Sequence, residues 1–140
     1  MSGPVEAAIR SSVRPGEVLP TPTGTATFDV GQLEPEALSL LFGPKRTVTL
    51  LPWRCLEGIP DYLHGRGWMP VGANRDVNSN YGLDGYLKSW IKRQTANYVA
   101  VVLERAGVVE LSRERPAHVR LISSWRETVI TVAITMRTRG

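Results

Sequence analysis

The chain has 140 residues, of which 42% are hydrophobic, and its formal net charge is +4. This length suits a single domain with its own core, and the sequence has neither a long apolar run of the kind that spans a membrane nor a secretory signal, so we expect a cytoplasmic protein that contacts no membrane. The single cysteine, Cys55, excludes an internal disulfide and a multi-cysteine zinc site, and the spacing of His64 and His118 supports no metal ion or other cofactor.

The N-terminal part of the chain divides into an arm and a small strand-rich segment. Residues 1–24 are rich in Pro, Ser, Gly and Thr, which predicts a flexible arm ahead of one domain over residues 25–140. Strand-forming residues follow at 25–30 and at 46–51. Between them, EPEALSLLFG begins with proline and acids and ends at glycine, which predicts a helix. The segment is therefore predicted as strand, helix, strand.

Helical signals dominate the middle of the chain. PWRCLEG and PDYLHGRG each open with proline and close with glycine, and both predict short helices. WMPVG is a short extended piece, and ANRDVNSNYG is a polar loop. The clearest periodicity follows, because apolar residues at i, i+3, i+4, i+7 and i+8 form one stripe of an amphipathic helix. These residues are Leu83, Tyr86, Leu87, Trp90 and Ile91.

A second helix is predicted after a break at KRQ, with Thr95 as its N-cap. Its apolar positions include Val99, Val102 and Leu103, and Gly107 ends it. VVEL and HVRLI alternate apolar and polar residues on either side of SRERPA, which predicts a β-hairpin. The C-terminal TVITVAITM is β-branched and predicts a further strand, either central in a sheet or at an interface.

The order of elements over roughly residues 52–122 resembles the winged helix-turn-helix superfamily. LDGYLKSWI corresponds to its supporting helix, TANYVAVVLERAG to its recognition helix and VVELSRERPAHVRL to its wing. In this superfamily the recognition helix enters the major groove of DNA, and the wing touches the backbone or the minor groove. The resemblance implies an α+β fold with a winged-helix core, preceded by the strand-helix-strand segment and followed by the C-terminal strand.

Positive charge is concentrated in the same region. Residues 88–126 contain eight basic and three acidic residues, a net charge of +5, whereas the rest of the chain sums to −1. This asymmetry suits a surface that binds a polyanion; the alternative is a solvated charged face.

Nine residues of this region are predicted to contact DNA. Phosphate contacts are expected from basic residues of the supporting helix, the turn and the wing, namely Lys88, Lys92, Arg93, Arg113 and Arg115. Base reading is expected from the recognition helix, namely from Thr95, Asn97, Tyr98 and Arg105.

The sequence therefore predicts a double-stranded DNA-binding protein without enzymatic activity, either a transcription regulator or the DNA-recognition part of a larger machine. The alternative is a protein-interaction or oligomerisation module, in which the C-terminal strand pairs with a protein partner or with a second copy in a homodimer. A third hypothesis, a hydrolase that uses Cys55, His64 and Asp61, requires a thiol that reacts near neutral pH.

Overall fold

The computed structural model describes residues 3–72, 82–114 and 116–125 and has a mixed α+β architecture. Its first part contains one helix and four strands: α1 (Pro4–Ser12), β1 (Val18–Pro20), β2 (Thr27–Leu33), β3 (Ala37–Phe42) and β4 (Thr47–Pro52). Its second part contains four helices and three strands: α2 (Trp53–Glu57), α3 (Ile59–Leu63), β5 (Met69–Pro70), α4 (Leu83–Lys88), α5 (Ala96–Arg105), β6 (Val109–Ser112) and β7 (His118–Leu121). No helix within these ranges is long and apolar enough to cross a membrane.

The first sheet is an antiparallel meander in the order β1-β2-β3-β4. The strands predicted at 25–30 and 46–51 are confirmed as β2 and β4, but the helix predicted between them is wrong. Leu38, Leu40 and Phe42 are all buried and alternate along β3, as one face of a strand requires. The proline and acids that suggested a helix start belong to the β2–β3 turn, and Gly43 (φ +85°) belongs to the β3–β4 turn.

The flexible arm predicted for residues 1–24 is also corrected, because the structure places a helix and a strand there. Val5, Ile9 and Val13 lie at i, i+4 and i+8, and all three are fully or almost fully buried. This stripe docks α1 on the rest of the core, where it contacts α2 and α5. The N-terminal helix is therefore an integral part of the domain.

The start of α1 is capped from a distant part of the sequence. Glu57, at the end of α2, accepts hydrogen bonds from the backbone N–H groups of Val5 (3.0 Å) and Glu6 (2.8 Å). These N–H groups have no partner inside the helix, and a carboxylate there also favours the helix dipole. A Cβ atom at Gly3 would lie only 2.2 Å from Glu57 Cδ, so the cap requires glycine at this position.

The second sheet has the order β5-β7-β6 with antiparallel pairs throughout. The two short helices, the extended piece, the second amphipathic helix and the hairpin are confirmed in this part. The first amphipathic helix is confirmed only over Leu83–Lys88, because Trp90 and Ile91 at the end of its predicted stripe lie beyond α4, and Trp90 is 45% exposed. Gly107 has a φ of +77° and follows α5 as the left-handed residue that ends a helix. The C-terminal strand predicted in TVITVAITM lies outside the described residues.

A single hydrophobic core joins the two parts. Helix α5 lies at its centre and contacts α1, α4 and β6. Val99 and Leu103 are buried, as their spacing predicts, and Val101 and Val102 are buried as well. The helix is therefore covered over most of its circumference, and this decides what the predicted recognition residues can reach.

Candidate functional site

Tyr98, predicted to read bases, lies between α5 and the first sheet. Its ring stacks on Phe42 with a centroid distance of 4.0 Å and an interplanar angle of 19°. It also meets Phe28 edge-on at 5.2 Å. Such aromatic pairs add to the stability that burial alone provides. Tyr98 therefore joins the two parts of the domain, and two aromatic partners hold its ring in place.

Arg93, predicted to contact phosphate, is directed to the same junction. Its Nη1 donates a hydrogen bond to Thr49 Oγ1 on β4 at 2.7 Å. Its guanidinium carbon lies 4.1 Å from the centroid of the Phe42 ring, a cation–π distance. The turn between α4 and α5 is thus held against the first sheet by a basic side chain.

Thr95 and Arg105 mark the two ends of α5; Thr95 faces the core, and the half-exposed Arg105 pairs with an acid from the first part of the chain. Thr95 is fully buried, and its hydroxyl makes no cap hydrogen bond to the helix. Arg105 Nη2 lies 2.5 Å from Glu17 Oε2, which comes from the segment before β1. The structure therefore does not bring Thr95, Tyr98 and Arg105 together on an open surface of α5.

Two further predicted phosphate contacts are ion-paired within the domain. Lys88 Nζ lies 3.1 Å from Asp84 Oδ2, one helical turn away. Arg113 donates from both terminal nitrogens to Glu104 at 2.6 Å each, and this hydrogen bonding raises the pKa of Arg113 above its usual value. Each pair removes a positive charge from the field that a polyanion would meet.

Lys92 and Asn97 are the predicted residues that remain open. Both are exposed, and neither side chain makes a hydrogen bond or an ion pair with another residue of the described ranges. Arg115 lies outside these ranges. The structure describes eight of the nine predicted DNA contacts. Among these eight, Lys92 and Asn97 are the two with exposed side chains that would not have to leave an internal partner to bind DNA.

An open cavity of about 550 Å³ lies at the N-terminal end of α5. Arg93, Gln94 and Asn97 line one part of it, and the buried Asp84 lines another. Both signs of charge are present, and the arginine and the aspartate already have partners, so the lining selects no single class of ligand. Within the described ranges no three His, Cys, Asp or Glu side chains come together as a metal site.

Cys55 is fully buried in the core. Burial raises the pKa of its thiol to about 12, so the sulfur is protonated at neutral pH. A protonated, inaccessible thiol is a poor nucleophile. The geometry therefore lends no support to the hydrolase hypothesis.

The outer face of the first sheet carries a group of exposed apolar side chains. Val18, Asp29, Leu41 and Val48 are consecutive partners across β1, β2, β3 and β4, so they share one face. Leu50 follows Val48 on the same face, two residues along β4. Val48 and Leu50 are each 55% exposed, and Val18 is 57% exposed. We call Leu41, Val48 and Leu50 the apolar face; Val18 lies apart from it, on the far side of Asp29.

The apolar face extends to an open sheet edge. Strand β4 is the last strand of its sheet, and no other strand of the described ranges pairs with its outer side. On such an edge, alternate residues direct their backbone N–H and C=O groups away from the sheet, where another strand could pair with them. This site was not predicted from the sequence. Because Val48 and Leu50 alternate with Thr49, hydrophobicity alone would place the two apolar side chains in the core and Thr49 in solvent.

The structure reverses that expectation. Thr49 and Leu51 are buried, and Thr49 receives the hydrogen bond from Arg93.

Comparisons of the chain with protein-family models, with curated proteins and with solved structures give no match.

Proposed function

We propose that this protein is a protein-interaction module that docks its partner on the apolar face and the open β4 edge. The observation that carries the proposal is the exposure of Val48 and Leu50, more than half each, beside a strand edge that pairs with no strand of the described part of the chain. Contiguous exposed apolar side chains on an otherwise well-packed domain are typical of a protein interface. Strand addition at an edge supplies backbone hydrogen bonds, while neighbouring side chains supply selectivity.

The expected energies favour this surface over the basic one. Complete burial of a valine or leucine side chain contributes about 1.5–3 kcal/mol. Val48 and Leu50 have roughly half of this still to gain, because about half of each side chain is still in water. The basic side chains, in contrast, must first give up internal partners such as Glu17 and Glu104 before they bind an anion.

The proposal is tested by affinity capture with this protein as the bait. The candidate partners include copies of the same chain that carry an isotope label, so that a captured second copy can be told from the bait. The wild type is compared with Leu50→Lys, which places a charge on the proposed surface, and with Trp90→Lys as a control. Trp90 is 45% exposed on the turn after α4 and belongs neither to the apolar face nor to β4. We expect a partner that the wild type and Trp90→Lys retain and that Leu50→Lys loses. Equal retention by all three proteins would contradict the proposal.

Double-stranded DNA binding is the second candidate, and the topology of the second sheet favours it. The order α3, β5, α4, α5, β6, β7, with strand order β5-β7-β6, supports a winged helix-turn-helix for this part of the chain. Because Tyr98 and Arg105 face the first part of the domain, DNA would be held mainly through the turn and the wing. Lys92, Asn97 and Arg113 are the described residues in position for this role.

The DNA candidate is tested by fluorescence anisotropy with a labelled random duplex at several salt concentrations. If the wing holds phosphates, replacing Arg113 and Arg115 together by alanine should weaken binding to all sequences and lower the log–log salt slope by about 2. Arg14→Ala is the matched control, because Arg14 is exposed before β1 and belongs to neither the turn nor the wing. If the salt slope of the double variant equals that of the wild type, the wing does not contact phosphates. If the wild type does not bind the duplex at low salt, the DNA candidate is wrong.

A further inference from the structure

We infer that the partner at the open edge is a second copy of this chain, whose β4 pairs antiparallel with β4 of the first. The two four-stranded sheets then form one continuous sheet about a two-fold axis. The inference rests on the proposed function and names the partner of the same surface. Three features of the first sheet carry it: the unequal protection of its two edges, the parity of its exposed side chains and the charges at the two ends of β4.

The two edges of the sheet are protected to different degrees. Strand β1 has three residues and ends in Pro20, which has no N–H to offer a partner. Strand β4 has six residues, and none of them is charged. Natural proteins commonly block exposed edges with short strands, prolines or charges. The β4 edge lacks the charge and the shortness that would block pairing, although Pro52 ends it.

Side-chain alternation allows a symmetric pairing that joins the apolar residues. In an antiparallel pair, residues opposite each other must point to the same face. A two-fold axis beside Thr49 places Val48 of each copy opposite Leu50 of the other, and an axis beside Leu50 places the two leucines opposite each other. In both registers the apolar faces of the two copies merge across the junction.

The charges at the ends of β4 distinguish the two directions of pairing. The β3–β4 turn at one end carries the exposed Lys45, and also Arg46, which pairs with Asp29 of its own sheet. The β2–β3 turn carries the exposed Glu34 and Glu36, and the pairing of Ala37 with Pro52 places this turn at the other end of β4. Antiparallel pairing brings the basic turn of each copy beside the acidic turn of the other. Parallel pairing would bring like charges together, so the charges favour the two-fold arrangement.

Sedimentation of the purified full chain over a wide range of concentrations tests the inference. We expect a monomer–dimer equilibrium in the wild type. Leu50→Lys should weaken the dimer by at least about tenfold, because it removes apolar contact and places two lysines at the junction. Val18→Lys is the matched control, because Val18 lies on the same face with the same exposure but at the opposite edge. It should leave the dimer unchanged.

A charge swap tests the direction of pairing. Glu36→Lys alone should weaken the dimer by about threefold at low salt, and so should Lys45→Glu alone, because each creates a like-charge contact between the copies. The double variant should recover the wild-type affinity. In the dimer, the backbone amides of β4 should also exchange hydrogen more slowly than in the monomer. Circular dichroism confirms that each variant is folded.

The outcomes separate this inference from the proposed function. A wild type that is monomeric at all concentrations overturns the inference, and so does a dimer that Val18→Lys weakens as much as Leu50→Lys. If the chain is monomeric while the capture experiment finds a partner lost in Leu50→Lys, the interaction surface stands and the second copy is wrong. If neither experiment responds to Leu50→Lys, both are wrong.

Discussion

The two sheets of this protein present opposite kinds of side chain to solvent. The first sheet leaves Val18, Val48 and Leu50 more than half exposed. The second sheet and its helices carry most of the excess positive charge, but their basic residues are largely paired. A charge count along the sequence therefore overstates the field at the basic end of the molecule. Apolar content, in turn, does not reveal which face of the first sheet meets water.

Two of the acids that pair with basic residues of the segment 88–126 come from outside it. Glu17 and Asp84 lie before residue 88, and they pair with Arg105 and Lys88 in the fold. Within the segment, Glu104 pairs with Arg113. Arg120 pairs with Glu110 and also lies over the Trp68 ring at 4.4 Å. The two sheets therefore differ in what their exposed side chains still lack. The first sheet exposes apolar side chains that have no cover, whereas most of the described basic side chains around the second sheet already have acidic partners.

The junction between the two parts depends most on Phe42. It is buried, it stacks on Tyr98 and it lies beneath the guanidinium of Arg93. Phe42→Ala should lower the free energy of unfolding by about 3 kcal/mol, because it leaves a cavity and removes both ring contacts. Urea denaturation measures this. Phe42→Leu, which keeps most of the volume, is the control and should cost less; a loss below about 1 kcal/mol for Phe42→Ala would contradict the packing of α5 on the first sheet.

The sequence predicted the second part well and the first part poorly, for physical reasons. Helices α4 and α5 and the hairpin have clear periods, and their turns carry the expected residues. Strand β3 was predicted as a helix because proline, acids and a final glycine mark turns as well as helix ends. Only pairing with β2 and β4 decides between them.

Helix α1 and the apolar face were missed because long-range contacts define both. Val5 and Ile9 are spaced for a helix, but Glu57, which caps it, lies some fifty residues later. The exposure of Val48 depends on which side of the sheet α5 covers, and Arg93 helps to hold Thr49 on the inner side. Residues such as Tyr98 and Arg105 were predicted as DNA contacts because the sequence does not reveal that the first sheet covers α5.

Loss of the cap on helix α1 tests whether residues 4–12 are docked on the domain. A docked helix loses stability when its cap is removed, whereas a flexible arm does not. Glu57→Ala leaves the N–H groups of Val5 and Glu6 without their acceptor. We expect a loss of about 1–2 kcal/mol in the free energy of unfolding, measured by urea denaturation. Glu57→Gln keeps an acceptor oxygen and should lose less. If Glu57→Ala matches the wild type, residues 4–12 are not docked as the structure places them.

Alkaline pH should loosen the contact between α4 and α2. The Tyr86 hydroxyl donates to the Cys55 carbonyl oxygen at 2.6 Å, and burial, followed by the nearby Cys55 thiol, raises the pKa of Tyr86 to about 12. Because the folded-state pKa lies above the ordinary tyrosine value of about 10, this contribution is complete below pH 10 and is lost as the pH rises towards 12. Tyr86→Phe should lose about 1 kcal/mol at neutral pH and show a smaller decline than the wild type above pH 10. Parallel curves for the two proteins in pH-dependent denaturation would contradict this.

The pair formed by Arg105 and Glu17 should contribute least to the stability of the fold. Its replacement should instead change the affinity of the basic surface for a polyanion. Both side chains are partly exposed, so Arg105→Ala should lower the free energy of unfolding by only about 0.5 kcal/mol or less. Glu17→Ala releases Arg105 and adds one unit of positive charge to the surface. If the DNA candidate is correct, Glu17→Ala should therefore bind a duplex more tightly at low salt. Arg105→Ala should bind more weakly, because it leaves the Glu17 carboxylate unpaired, and the double variant should bind about as the wild type does. Anisotropy of Glu17→Ala, Arg105→Ala and the double variant measures this, and equal affinities in all three would mean that this end of α5 lies outside any polyanion site.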